Sequence, residues 1–599
     1  MRIFSSRHFG IVAALVFIAF LATVPLWATT SFAMSRYIVV LAYLMAALGL
    51  NLAMGYAGEF VLGHPVIMAA AAYCAGLLSA LAGWPFWATL PAGVVAGTVV
   101  GVVIMSPGLR VRGWYYSLIT MFAVLVLRPV VVLFEDWTGG ENGLTGIRGV
   151  VFLGERVKPW MYLEFALICF VLMWLAVDGF VRSGWGHRMR ALRDARHAAE
   201  AAGINLAETR LVVYVLSSIP AALGGVVLAY SSRFVGADDY GIGLMLMFLG
   251  GLVRGGTGTR YGPVVGMGLL LILSFWVGPF SPYNAIGVGV GLLVCSLLFP
   301  DGIIGVFAGR RGGKAGVVVP EHLAIGGAPV VRALSGGDGV VLKARGVGIS
   351  FGGNRALSDV SLDVPRGAVI GLVGPNGSGK STFLNVVSGF LRPDTGVVEI
   401  GGVNIAGMVP HRIARAGVQR SFQVPQLVDE FTAIENIEIG LVAFEKRAIL
   451  GSILRAPWVR RRERARRARA EEVFAMVGLP EQARHMPVAK LPLGLKRVVE
   501  VGRAIASSPH LLLLDEPAAG LNDEERVALG LLLRRLQGIG ITVLVVEHNV
   551  PFMLRFCDAL VLLEEGAVVC TAPLDQPLPD RLARYLSYAP QTGFAEVVA

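Results

Sequence analysis

The stretch Val369–Thr382 reads VIGLVGPNGSGKST. A short apolar run, Val369–Val373, leads into a turn rich in glycine and then into Lys380, Ser381 and Thr382. An apolar run bounded in this way predicts a buried strand. Gly374, Gly379, Lys380 and Ser381 fit the spacing GxxxxGK[ST]. That spacing predicts a loop whose backbone N–H groups curl around an anion, with Pro375, Asn376, Gly377, Ser378 and Thr382 completing the cradle. A helix beginning at Lys380 would add a favourable dipole end for phosphate. Lys380 is expected to reach the β- and γ-phosphates of a nucleotide, and Ser381 to hold Mg2+.

Further along the chain, LLLLDEP at Leu511–Pro517 predicts a buried strand ending in two carboxylates. Asp515 is expected to hold Mg2+, directly or through water. Glu516 is expected to be the general base that polarises an attacking water. His548 follows another apolar strand in LVVEHN. Two more fragments stand out: SFGG with Phe351, and SFQ with Gln423.

Composition frames these motifs. The chain has 599 residues, more than one compact domain usually holds. It is 55% hydrophobic and 16% charged, with mean hydropathy +0.67. Soluble domains carry about a quarter charged residues, so much of this chain is expected in a membrane. The apolar runs crowd before residue 307, and the chain beyond residue 340 reads as a soluble α/β protein. The net charge of +11 is read as arginine and lysine in cytoplasmic loops. No nucleic-acid module is present, so no nucleic-acid partner is expected. Cys74, Cys169, Cys295, Cys557 and Cys570 are isolated and suggest neither a disulfide framework nor a metal site.

A helix needs about 20 apolar residues to cross the hydrocarbon core. The candidate spans, roughly ten in number, are 9–28, 37–55, 60–81, 85–105, 114–134, 161–181, 211–230, 240–253, 261–280 and 284–299. The first follows Arg2 and Arg7 without a clear cleavage site and is read as a retained helix. The span at 240–253 is short enough to be re-entrant. The loop 182–210 carries Arg182, Arg188, Arg190, Arg193, Arg196 and Arg210 and is placed in the cytoplasm. Arg110, Arg112, Arg254 and Arg260 fall on the same side. Glu135, Asp136, Glu141, Asp238 and Asp239 fall outside. Within the basic loop, helix formers run from Arg188 to Ala202 and stop at Gly203; either a docking helix or a solvated loop fits. Ala308–Gly339 is glycine-rich and reads as a linker.

The motif series at 340–590 resembles the ATP-binding-cassette (ABC) family. The resemblance implies that Phe351 stacks on adenine and that Gln423 senses Mg2+ and faces a transporter domain. His548 contacts the γ-phosphate in such a site. AAGLN at Ala518–Asn522 matches the segment bridging two ATP sites of a dimer. LPLGLKR, with Leu491 and Gly494, stands at the signature position. There Pro492 replaces the usual serine and Leu495 the usual glutamine, which implies a weakened signature offered to the partner's ATP. LDEPAAGLN, RSFQ and the insertion Leu454–Leu479 resemble the cassette of branched-chain amino acid importers. LGLNLAMGYAGEFVLGHPVIMAAAAY, GLRVRGWYYSLITMFA, TGGENGLTGI and ALRDARHAAEAAGINLAETRL look like successive landmarks of the matching permease, and the resemblance implies that the loop 188–210 is a coupling segment seated in a cleft of the ATPase near Gln423. Glu59 departs from that pattern and reads either as functional or as a residue at a watery helix end.

The expected fold is therefore multidomain. A polytopic α-helical membrane permease at 1–307 and a linker at 308–339 precede an α/β P-loop ABC ATPase with a helical subdomain at 340–590 and a tail at 591–599. The resemblance implies ATP and Mg2+ as cofactors, and a multi-pass position in a bacterial inner membrane with a cytoplasmic ATPase. The implied partners are membrane lipid, a second permease, a second cassette (hetero-assembly favoured over a homodimer) and a periplasmic substrate-binding protein. The implied cargo is a branched-chain or related amino acid; urea, short amides and aromatic acids are same-class alternatives. An exporter half and a membrane-tethered ATPase without transport are the remaining readings.

Overall fold

The computed structural model describes residues 30–268 and 339–588 apart from 112 and 153, together with positions 19 and 23. The expected spans 9–28 and 284–299, the linker at 308–338, the tail at 591–599, and Arg2, Arg7, Arg112 and Cys295 lie outside the described residues, as does the larger part of 261–280. The chain divides into two compact units, and each takes in a short piece of the other's stretch of sequence. Arg190–Leu206 belongs with the nucleotide-binding unit, and Ile449–Ala456 belongs with the membrane unit.

In hydrocarbon every backbone polar group must be satisfied within the element, so apolar runs become helices. Among the described residues five helical stretches are long and apolar enough to cross a membrane: Ser31–Tyr56, Phe86–Leu109, Trp114–Leu133, Pro159–Arg182 and Leu206–Ser232. His64–Ala80 is apolar but shorter, and Ile242–Gly255 has 14 residues. At 1.5 Å per residue the latter reaches only about 21 Å, short of a bilayer core of about 30 Å. The expected count of ten thus stands at five full-length helices and two short ones in the described part. Ser31–Tyr56 is central, with 83% of its apolar window buried, whereas Phe86–Leu109, Trp114–Leu133 and Pro159–Arg182 are 28% buried.

Small residues let these helices approach closely. On the helix Phe86–Met105, a Cβ at Gly97 would stand 2.8 Å from the Cβ atoms of Ala71 and Ala222, and one at Gly101 would stand 2.2 Å from Ser218 Oγ. The central helix changes to π geometry over Asn51–Tyr56. There Asn51 is pinned by two hydrogen bonds of 2.9 Å, donating to Thr259 O and accepting from Gly258 N–H. Glu59 is buried rather than watery: Arg210 Nε donates to its Oε1 at 2.6 Å, and Arg210 Nη1 donates to Gly108 O at 3.0 Å.

The nucleotide-binding unit holds two sheets. Strands β1 (Val151–Phe152) and β2 (Glu155–Arg156) form only a small hairpin in the membrane unit. The first sheet of the nucleotide-binding unit contains β3 (Val340–Phe351), β4 (Asn354–Pro365), β6 (Thr395–Ile400) and β7 (Val403–Asn404), antiparallel in the order β4-β3-β6-β7. The second contains β5 (Val369–Val373), β8 (Val418–Arg420), β9 (Leu511–Asp515), β10 (Thr542–Val546), β11 (Ala559–Glu564) and β12 (Ala567–Pro573) in the order β12-β11-β5-β10-β9-β8. All its pairings are parallel except β11 with β12. Strands β5, β9 and β10 are buried along their whole length, as continuous apolar runs in a covered parallel sheet require. Because they run parallel and in register, their C-terminal ends emerge along one edge. Helices Ala433–Val442, Pro457–Met476 and Leu493–Ile505 pack on one another as a helical subdomain.

Candidate functional site: a phosphate loop and its carboxylate edge

The loop after β5 has the conformation its glycines allow. Gly374, Gly377 and Gly379 have φ of +152°, +84° and +101°. A Cβ at Gly374 would stand 2.0 Å from Leu563 O, so size as well as conformation excludes a side chain there. The helix Lys380–Val387 begins at the end of this loop, with Ser381 and Thr382 in its first turn. Lys380 folds back over the loop, donating to Gly374 O at 2.9 Å and Pro375 O at 2.8 Å, and reaches to 3.4 Å from Ser378 Oγ. Burial holds its ammonium below the usual lysine range, opposed by the charges of Glu516 and Asp515.

Asp515 ends β9 and is buried. Its Oδ2 accepts from Arg420 Nη2 at 2.8 Å. Arg420, on β8, also donates to Asn385 Oδ1 at 2.7 Å and Ser388 Oγ at 2.8 Å, which ties the carboxylate strand to the helix after the phosphate loop. Glu516 adopts the left-handed φ of +47°, a conformation uncommon outside glycine, and its N–H donates to Val546 O at 2.9 Å. The strained residue sits where two carboxylates turn outward from the strand end. Gln423 Nε2 donates to Glu516 Oε2 at 2.9 Å, and His548 Nε2 lies 3.4 Å from Glu516 Oε1. Lys380, Asp515, Glu516, Gln423 and His548, named separately from the sequence, thus gather at one sheet edge. Phe351 stands half-exposed at the end of β3.

The signature segment lies at another place in the unit. Leu491 is buried in the core. Pro492 occupies the N-cap with extended φ and ψ of −56° and 157°, and the helix Leu493–Ile505 follows without a side-chain cap. Loss of a capping hydroxyl leaves the first N–H groups without a side-chain acceptor. Gly494 is kept small by its neighbour, because a Cβ there would stand 2.1 Å from Glu525 Oε1.

Several residues escaped sequence reasoning. Arg420 precedes the SFQ fragment, and Glu547 precedes His548. Glu547 accepts from Ala518 N–H and His548 N–H, joining the AAGLN segment to the His548 strand end. Burial pushes its carboxyl above the usual range, against these backbone donors. Arg497, Glu500 and Arg503 form a buried charged row on the signature helix. Arg497 donates to Phe422 O at 2.6 Å and to Gln423 O, Arg503 donates to Gln426 O, and Glu500 Oε1 accepts from Phe422 N–H at 3.2 Å. The row clamps the Gln423 loop onto the signature helix. The signal available was a pattern of charges on an otherwise apolar helix face.

The basic segment taken from the permease stretch packs on that same loop. It forms two helices, Gly184–Asp194 and Arg196–Ala201, broken at Ala195 instead of continuous. Gly203, with φ of +90°, stops the second one as its sequence position implies. Ala198 N–H donates to Gln426 Oε1 at 3.3 Å, and Arg193 Nη2 pairs with Glu430 at 3.0 Å. The His197 ring lies 5.5 Å from Phe390 and 6.3 Å from Phe422. Arg190 stands over Phe431, and Arg415 Nε donates to Gly203 O at 3.1 Å. The segment is therefore a docked element and not a solvated loop.

A phosphate loop, a DE carboxylate pair and a histidine strand end on one parallel sheet, beside a helical subdomain, define an ABC-type ATPase. Comparison with known proteins extends this. Residues 32–297 match the family model described as the permease component of branched-chain amino acid transport systems, and residues 357–519 match that of the ABC transporter. The high-affinity branched-chain amino acid transport ATP-binding protein BraF of Pseudomonas aeruginosa is 34% identical over 252 residues, spanning 42% of this chain and 98% of that protein. LivG of Escherichia coli strain K12, with the same descriptive name, is 31% identical over the same length and coverage. A solved nucleotide-free ATP-binding cassette of an ABC transporter is 29% identical, covering 41% of this chain and 95% of its own, with TM-score 0.36. The chain belongs to the branched-chain amino acid type of ABC transporters, with permease and ATP-binding parts in one polypeptide. Its cassette hydrolyses ATP to drive transport.

Proposed function

We propose that this protein drives import of a branched-chain or related amino acid across a bacterial inner membrane, as one permease-ATPase arm of a larger assembly. The layout is a permease at 1–307, a linker at 308–339, a cytoplasmic cassette at 340–590 and a tail at 591–599. A second permease, a second cassette and a periplasmic binding protein complete the assembly, with hetero-assembly favoured. The observation that carries this reading is the docking of Arg190–Leu206, from the permease stretch, onto the loop whose Gln423 touches Glu516. An ATPase without a transport role has no need of that link.

The residues divide the work as follows. The Gly374–Gly379 backbone and Lys380 hold the phosphates of ATP, Phe351 stacks on the adenine, and Thr382 completes the helix start. Glu516 takes the proton of the attacking water, Gln423 and His548 orient it, and His548 also meets the γ-phosphate. The oxygen donors Ser381, Gln423 and Asp515 fit a hard cation and would hold Mg2+. When bound, that ion neutralises charge on the phosphates. The helix start at Pro492–Gly494 meets the ATP held by a partner cassette while Leu491 stays in its own core, and with Pro492 and Leu495 in place of the usual serine and glutamine the signature completes that site less effectively. The test is ATP-dependent uptake into proteoliposomes holding the whole complex and its binding protein, with leucine compared against urea, a short amide and an aromatic acid. Leucine uptake is expected, and ATP hydrolysis without uptake of any solute refutes the reading.

A further inference from the structure

The helix Ile242–Gly255 is too short for a bilayer core, and its sequence shows where the shortfall lies. Arg254 stands in its last turn, which marks the basic, inner end. The missing length, about 9 Å, therefore falls at the outer end. The chain fills that end with irregular backbone. Leu144 and Val235 exchange two backbone hydrogen bonds, of 2.9 and 3.0 Å. Shortly after this anchor a single 3-10 turn, Ala237–Tyr240, packs against the helices His64–Ala80, Trp114–Leu133 and Ile242–Gly255. Tyr240, which closes the turn, is 1% exposed. Irregular backbone at membrane depth persists only where protein buries it or where it lines a water-filled cavity. Interrupted helices of this kind form the cargo sites of many transporters.

The turn brings one set of polar groups together within the membrane unit. Tyr43 comes from Ser31–Leu50, where its ring meets Phe248 edge-on at 5.7 Å, and Tyr73 comes from His64–Ala80. The Asp239 carboxylate lies close enough for its charge to act on the hydroxyls of Tyr43, Tyr73 and Tyr240, and the Asp238 charge also acts on Tyr73. Arg128 Nε lies 3.6 Å from Asp238 Oδ1, whereas Asp239 has no ion-pair partner among the described residues. Tyr73 is 7% exposed, and its hydroxyl is buried without a hydrogen-bond partner among those residues. No group of three or more His, Cys, Asp or Glu that could hold a metal gathers among the described residues, so the set suits an organic cation and not a metal ion.

We propose that Asp239, Tyr43 and Tyr73 form an outward-facing site that receives the α-ammonium group of the amino acid cargo. The inference rests on the import reading above and names the part of the cargo that this chain recognises. An ammonium has three N–H donors; the carboxylate and the phenol oxygens supply acceptors, and the rings add cation–π attraction. A cargo donor at the Tyr73 hydroxyl removes the cost of leaving it buried and unpaired. Urea and short amides carry no charge and gain nothing from Asp239, so the site favours amino acids over them.

The first test needs no cargo. Tyr43→Cys in the full chain in nanodiscs is labelled with cationic 2-aminoethyl or anionic 2-sulfonatoethyl methanethiosulfonate, and mass spectrometry reads the adduct at position 43. The cationic reagent is expected to react faster by about tenfold or more, and Asp239→Asn is expected to abolish the preference. The second test is leucine uptake by the whole complex in proteoliposomes. Asp239→Asn is expected to lower maximal uptake by about tenfold or more, and Tyr73→Phe by about two- to tenfold. Asp239→Glu retains uptake, and the concentration of loaded binding protein that gives half-maximal uptake does not change. Equal labelling rates, a preference that survives Asp239→Asn, or an uptake defect that more binding protein repairs overturns the proposal. Uptake of urea but not leucine by the unaltered complex overturns the import reading, and the labelling at position 43 is read separately from it.

Discussion

The two units use glycine for opposite reasons. In the membrane unit Gly97 and Gly101 sit in ordinary helical backbone and are needed because neighbouring helices stand where a side chain would go. In the nucleotide-binding unit Gly377 has no atom within 4 Å of its would-be Cβ, yet its φ is +84°. One unit needs the absence of volume, the other the freedom of the backbone. The contrast follows from solvent. Between helices in lipid, close van der Waals packing replaces the hydrophobic driving force. A phosphate loop needs N–H groups converging on an anion, which only unusual dihedrals provide.

Buried charge divides the units in the same way. The cassette gathers the buried Lys380, Asp515, Arg420, Arg497, Glu500, Arg503 and Glu547, with the partly buried Glu516, around one edge and its adjoining loop. In the membrane unit Glu59 and Arg210 form a buried pair whose side chains are 10% and 5% exposed. The first set surrounds the candidate site, and the second joins the start of Leu206–Ser232 to the segment before His64.

The sharpest way to break this comparison is Glu516→Gln. ATP turnover is expected to fall by about 10²–10⁴-fold with ATP binding retained; phosphate release and nucleotide binding are the readouts, and near-normal turnover removes Glu516 as the base. In the membrane unit, Glu59→Leu leaves Arg210 buried and unpaired and is expected to cost about 3–5 kcal/mol. Thermal unfolding in detergent measures it, and E59L/R210M is expected to recover most of the loss. Gly97→Leu is expected to cost about 1–3 kcal/mol through overpacking. Gly377→Ala is expected to cost about 1–2 kcal/mol through its left-handed backbone alone. Equal effects of Gly97→Leu and Gly97→Ala count against the volume argument. Arg193→Ala removes a partly exposed pair and is expected to cost less than about 1 kcal/mol, yet to lower the stimulation of ATPase by substrate-loaded binding protein. The smallest effect concerns Cys557, whose thiol burial pushes up to about 12. An acid with a raised pKa stays protonated below it, so at pH 8 this thiol is expected to resist maleimide until the cassette unfolds, and early labelling means its core opens.

Much of the site was legible in the sequence because its motifs are short and local. The phosphate loop, the DE pair and the histidine strand end each announce themselves within a few residues. The charges that hold them together were not legible. Arg420 meets Asp515 across 95 residues, Gln423 meets Glu516 across 93, and Glu59 meets Arg210 across 151. Periodicity carries no record of pairs so far apart. The basic segment illustrates both cases: its helix formers, its stop at Gly203 and, through the family resemblance, a place near Gln423 were readable, while the break at Ala195 and the contacts with Gln426, Glu430 and Phe390 were not.

What the sequence determined by itself was the menu of elements: apolar runs long enough for helices in lipid, apolar strands for a parallel sheet, and a glycine spacing that only a phosphate loop explains. These are short-range consequences of solvation and backbone sterics. The tertiary structure alone decided which ends converge. The parallel order β5-β10-β9 brings the phosphate loop, Glu516 and His548 to one edge, and burial then requires each charge there to find a partner or a ligand. It also decided that Glu59 is an ion-paired residue, because that depends on a partner brought near only once distant segments have packed.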